Sequence, residues 1–228
     1  MMQASKSRSP KTFFLFQNPN NRLAVILVML VLSLGAGCGD SKPVKPPSAA
    51  SGSDEGASSA SNPAPAPVAI SFEIAIQAAL NGHEATVKQA LASNTDPNQT
   101  DEEGRTLLMV SAFNGYSAIV KDLLEAGARV DTRDLSGRTA LMYASTGTDV
   151  DTVSLLLENK AQVNLKDEVE KWSALMFAAA EGNRDVVELL LKNEADRSLQ
   201  DTDGDTAESF ARSNGHTAVA DFIHNYGK

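Results

Sequence analysis

A tract that repeats every 33 residues occupies the last two thirds of this 228-residue chain. Asp101-Glu-Glu-Gly104-Arg-Thr106-Leu-Leu-Met109 aligns with Asp134-Leu-Ser-Gly137-Arg-Thr139-Ala-Leu-Met142, and both align with Asp201-Thr-Asp-Gly204-Asp-Thr206. Gly104 and Gly137, Leu124 and Leu157, and Ala128 and Ala161 each stand 33 apart. A fixed period of that length marks a solenoid, in which each unit buries its apolar face only against a neighbour. Such a chain offers surface rather than a catalytic pocket.

The residues at each place in the period have physical roles. Gly104, Gly137 and Gly204 follow an Asp in tight turns, where a positive φ is free of strain only for glycine. Thr106, Thr139, Ser173 and Thr206 stand before short apolar stretches, as helix N-caps do. The small pairs Ala78-Ala79, Ser111-Ala112, Ala144-Ser145 and Ala178-Ala179 let neighbouring first helices approach closely. Second helices carry a buried stripe at i, i+3, i+4: Val120, Leu123 and Leu124; Val153, Leu156 and Leu157; Val187, Leu190 and Leu191. Five units follow, at about 71–100, 101–133, 134–166, 167–200 and 201–228, with the outer two acting as caps.

Three departures stand out. Thr148 replaces the glycine represented by Gly115, Gly182 and Gly215, which predicts a remodelled turn over Thr146 to Asp151. Lys160 and Glu194 replace Gly127, at a cost of about 1 kcal/mol each if the left-handed conformation is kept. One extra residue between Asp167 and Ser173 predicts an irregular finger carrying Trp172, the only tryptophan.

The order of Asp, Gly and Thr at the first, fourth and sixth places, then a helical run, a Gly-His place and Val-x-x-Leu-Leu-x-x-Gly-Ala, resembles the ankyrin repeat. The second unit fits it through Asp101, Gly104, Thr106, Leu108, Ala112, Gly115, Leu123, Leu124, Gly127 and Ala128. The resemblance implies an all-α solenoid of β-turn fingers and antiparallel helix pairs over residues 70–228. It also implies that a protein partner docks on the concave face made by fingers and first helices. Carried over by position, the partner-binding residues are Glu102, Glu103, Arg105, Phe113, Asn114, Leu135, Arg138, Tyr143, Lys171, Trp172, Phe177 and Glu181. Aromatic residues and Arg are the types enriched in binding hot spots. His83 and His216, at the Gly-His place, are expected to tie neighbouring loops.

Residues 1–37 read as a signal peptide. Lys6, Arg8, Lys11 and Arg22 precede the apolar run Leu23 to Leu34, and small residues follow. Cys38, the only cysteine, comes next in Leu34-Gly-Ala-Gly-Cys38. This segment resembles the lipobox of bacterial lipoproteins, with Gly35 where Leu is usual, and implies lipidation at Cys38. A plain secretory signal and a signal-anchor extending to Gly37 are the alternatives. Two or more acyl chains suffice for stable anchoring. Residues 38–69, rich in Ser, Ala, Pro and Gly, predict a disordered linker able to hold the folded part clear of a membrane.

Residues 68–228 hold 26 acids against 14 Lys and Arg, which argues against nucleic acid and allows a basic protein partner. No metal site, cofactor or catalytic constellation is legible, so neither catalysis nor a cofactor is expected. Asp201, Asp203 and Asp205 begin like a calcium loop, but Thr206 and Arg212 fall where Gly and Glu are needed. The sequence therefore predicts a monomeric protein-binding module, lipid-anchored in the bacterial cell envelope, with the outer membrane facing the periplasm favoured over a soluble periplasmic or secreted form. Two alternative roles are an accessory or protective factor for an exported enzyme such as catalase and a surface or exported effector that binds a host protein.

Overall fold

The computed structural model describes residues 70–228. The signal-type segment, Cys38 and the linker lie outside the described residues. Ten helices form five antiparallel pairs: α1 (Phe72–Asn81) with α2 (Glu84–Ala92), α3 (Leu107–Phe113) with α4 (Ser117–Glu125), and α5 (Ala140–Ala144) with α6 (Val150–Glu158). The last two pairs are α7 (Ala174–Glu181) with α8 (Arg184–Lys192), and α9 (Ala207–Ser213) with α10 (Thr217–Asn225). First helices pack on first helices and second on second, so two layers run the length of an all-α solenoid. Among the described residues no strand forms; bridges Thr100 to Thr106 and Lys166 to Ser173 close two of the fingers.

Short helices of this kind depend on caps and burial rather than on propensity. Thr106, Ser173 and Thr206 accept hydrogen bonds from the N–H groups of Met109, Met176 and Ser209 at 3.3, 3.4 and 3.3 Å. Thr139 has the same extended N-cap backbone, but its side chain makes no capping bond. All four small pairs are buried. Val120 and Leu123, Val153 and Leu156, and Val187 and Leu190 are fully buried. The third member of each stripe behaves less uniformly. Leu124 and Leu157 are only half-buried, because the i+4 position lies on the flank of the second layer, whereas Leu191 of α8 is covered.

The turn after α5 is remodelled around Thr148. The helix stops after five residues, and Asp149 caps α6 by accepting from Thr152 N at 2.7 Å. Lys160 and Glu194 do keep the left-handed conformation of Gly127, with φ of 69° and 66°, and Asn94 joins them at 70°.

Neighbouring units are also stapled by polar side chains at a single 33-residue spacing. Asn98 Oδ1 accepts from Arg129 N at 2.7 Å, Asp131 Oδ1 from Gln162 N at 3.0 Å, and Asn164 Oδ1 from Asp196 N at 2.7 Å. The fourth place in this series is Arg197, which reaches the fifth unit in another way. Its guanidinium instead donates to the carbonyls of Ile223, His224 and Tyr226, capping the C-terminal end of α10.

Candidate protein-binding face

Each finger is held from inside by its leading Asp. Asp101 Oδ1 accepts from the N–H groups of Glu103 and Arg105, Asp134 Oδ1 from Ser136 and Arg138, and Asp201 Oδ1 from Asp203 and Asp205. The leading carboxylate therefore serves its own turn. In the irregular fourth finger Asp167 Oδ1 reaches Glu170 N and Trp172 N, and Lys171 takes the left-handed conformation at φ 62°. Adjacent fingers are joined tip to tip. Leu135 N donates to Glu103 O at 3.0 Å, Glu168 N to Ser136 O at 2.9 Å, and Thr202 N to Glu170 O at 3.0 Å.

In two fingers the residue that follows the turn reaches an aromatic side chain on the next first helix. Arg105 holds the same finger place as Arg138 and Trp172. The guanidinium of Arg138 lies 5.4 Å from the Phe177 ring centroid, and Trp172 packs on Phe210 at 4.3 Å. Trp172 also contacts Phe177 at 5.1 Å, and Phe113 meets Tyr143 edge-on at 6.1 Å. These separations suit cation–π and tilted aromatic contacts.

Short ion pairs hold Arg105, and a longer one faces Arg138. Arg105 bonds Asp101 at 2.6 Å and Glu103 at 3.1 Å, while Arg138 stands 3.9 Å from the buried carboxylate of Asp167. Tyr143 donates its hydroxyl to Asp134 Oδ2 at 2.6 Å. Burial, then that bond to an anion, hold its phenol far above the ordinary tyrosine range. Burial alone pushes the Glu181 carboxyl up.

Glu102, Glu103, Leu135 and Lys171 are exposed at the tips. Half-buried behind them are Arg105, Phe113, Asn114, Arg138, Tyr143, Trp172 and Glu181. The Asn114 amide is used by its own helix, donating to Val110 O at 2.9 Å. Phe177 is only 7% exposed, so it supports the face from beneath rather than offering itself to a partner. Sequence reasoning missed Phe210, although it stands 33 residues after Phe177 and completes the same row.

A second row ties the loops between paired helices. Tyr116 covers Gly82 and His216 covers Gly182 so closely that a Cβ on either glycine would collide with the ring. The same place in the fourth unit is Asn183, opposite Thr148 rather than a glycine. It donates to Gly147 O at 2.7 Å instead. His83, in the first unit, is exposed.

Among the described residues, no group of three or more His, Cys, Asp or Glu is placed to hold a metal ion, and no helix is long and apolar enough to cross a membrane. The fold and this face define a helical repeat scaffold that displays a binding surface. The family model for ankyrin repeats (3 copies) matches residues 75–167 and 165–228, and the chain belongs to the ankyrin-repeat family. That makes it a protein–protein interaction module. A comparison with curated proteins gives no significant match.

Proposed function

We propose that the solenoid is the protein-binding part of a bacterial lipoprotein, tethered in the cell envelope through acylated Cys38 and facing the periplasm from the outer membrane. The row in which Arg138 and Trp172 each address an aromatic ring of the next unit carries the binding half of this reading. Arg and aromatic groups held rigid before a partner arrives lose little entropy on binding, and they are the types that dominate interface energies. The small residues before Cys38 and the apolar run Leu23 to Leu34 support the tether.

Affinity capture with the wild-type chain and with Phe113→Ala, Tyr143→Ala and Trp172→Ala combined tests the face, with circular dichroism as the folding control. A folded variant that retains the same partners at the same strength defeats the assignment. Cys38→Ser tests the tether. It is expected to abolish incorporation of a labelled acyl chain and to release the protein from membranes; unchanged fractionation with no acyl label in the wild type defeats it.

A further inference from the structure

Among the described residues three large apolar side chains are exposed: Ile74 at 55%, Leu135 at 78% and Val169 at 59%. Ile74 stands apart on α1. Leu135 and Val169 occupy neighbouring finger tips, which the bond from Glu168 N to Ser136 O holds together. Isolated apolar residues are ordinary on a protein surface, whereas a pair on adjoining tips makes a patch.

The patch is also preorganised. Asp134 and Asp167 fix the backbone of both fingers from within, and the fourth finger is further tied by Thr202 N to Glu170 O. Leu135 and Val169 are thus exposed on braced turns, not on slack chain. Charge surrounds them on both sides. Glu102 and Glu103 stand on the preceding tip, and Glu168 and Glu170 flank Val169, all exposed. Arg133 lies 4.0 Å from Glu168, and Lys171 is exposed beside Glu170.

We propose that the tips of the second, third and fourth units bind an extended polypeptide segment in which apolar side chains alternate with Lys or Arg. The apolar groups cover Leu135 and Val169, and the cations sit against Glu102, Glu168 and Glu170. The proposal rests on the reading of this chain as a protein-binding module and names the chemistry of the partner. A simple polycation would leave the two apolar side chains in water. A second copy of the same face would set acid against acid, and a nucleic acid or an anionic bilayer would meet the same repulsion. Complementary charge at the rim governs approach and selectivity, and the desolvated apolar centre supplies the affinity.

Three labelled peptides of equal length, alternating Lys with Val, Lys with Ser and Glu with Val, are titrated into the full-length chain by fluorescence anisotropy at physiological salt. The Lys/Val peptide is expected to bind roughly tenfold or more tighter than either control. Leu135→Ser with Val169→Ser removes that preference, while Glu102→Gln, Glu168→Gln and Glu170→Gln together weaken binding and flatten its salt dependence. Both sets replace exposed side chains, so the helical circular dichroism and melting temperature remain as in the wild type. Equal affinity for Lys/Val and Lys/Ser peptides, or undiminished affinity in the folded Leu135/Val169 variant, overturns the inference. Ile74→Ser, at an exposed apolar residue away from the tips, leaves peptide binding intact under this proposal. A chain that fails with the peptides yet captures a partner through Phe113, Tyr143 and Trp172 would refute the tip chemistry alone, because capture through the helical face is read separately.

Discussion

The indole of Trp172 lies against the ring of Phe210 in the next unit, centroids 4.3 Å apart and planes at 51°, in the finger place that Arg105 and Arg138 hold earlier in the chain. It therefore staples the fourth unit to the fifth. Trp172→Ala removes contacts with Phe177 and Phe210 together, and the side chain is half-buried, so a loss of about 2 to 3 kcal/mol is expected. Urea denaturation followed by circular dichroism measures it. Since Trp172 is the only tryptophan, its emission reports this junction in the wild type. Coincident fluorescence and dichroism transitions indicate one cooperative stack; an earlier fluorescence transition would show the end unit detaching first.

Lys160 and Glu194 are exposed and left-handed, at the place where Gly127 relaxes the same conformation. Lys160→Gly and Glu194→Gly relieve that strain but add freedom to the unfolded chain, which offsets part of the gain. Each substitution should stabilise by about 0.5 to 1 kcal/mol, read as a rise in melting temperature. Gly127→Ala should do the reverse by a similar amount, with no steric contribution, since nothing lies within 4 Å of the added Cβ. A fall in melting temperature for either glycine variant would show that the left-handed residues are not strained.

Much of this architecture could be read directly from the chain because the period repeats local chemistry. The Asp and Gly of each finger and the caps at Thr106, Ser173 and Thr206 act within one unit, and the stripes led by Val120, Val153 and Val187 show as an i, i+3, i+4 pattern within one helix. What escaped the reading acts between units. Asn98, Asp131 and Asn164 look like ordinary loop polar residues until their 31- and 32-residue bonds are seen. Asn183 makes sense only beside Thr148, which removed the glycine that a ring would have covered. Burial of Phe177 likewise involves Arg138 from the preceding unit as well as Trp172 of its own finger. The exposed part of the face was easier to place, since Leu135 and the acids at the tips follow from turn position alone.

Tyr143 and Asp134 give the stability curve an alkaline limb. Burial and the 2.6 Å bond keep the phenol protonated in the folded chain, whereas in the unfolded chain it ionises near pH 10. The folded state then binds more protons than the unfolded state above that pH, so this contribution is complete below pH 10 and is lost as pH rises beyond it. Tyr143→Phe should cost about 1 to 2 kcal/mol at neutral pH, because Asp134 keeps its two backbone donors while losing one charged hydrogen bond. The variant should also lose stability less steeply above pH 10. Parallel wild-type and variant curves between pH 9 and 11 would contradict this account.

Gly137 and Gly204 share a left-handed conformation, with φ of 77° and 85°, but differ in what lies beside them. A Cβ on Gly137 would stand 2.8 Å from Glu168 N, the group that donates to Ser136 O and joins the third finger to the fourth. A Cβ on Gly204 would meet nothing within 4 Å. Both alanine variants carry the same net conformational cost as Gly127→Ala, about 0.5 to 1 kcal/mol. Gly137→Ala must in addition displace backbone, not the end of a flexible side chain, and so should break the tip-to-tip bond. An extra loss of about 1 kcal/mol relative to Gly204→Ala follows for that bond. Faster amide exchange at Glu168 should accompany it. Equal losses in the two variants, with Glu168 exchange unchanged, would mean that the fingers stand independently and that their alignment is set by the helices beneath them.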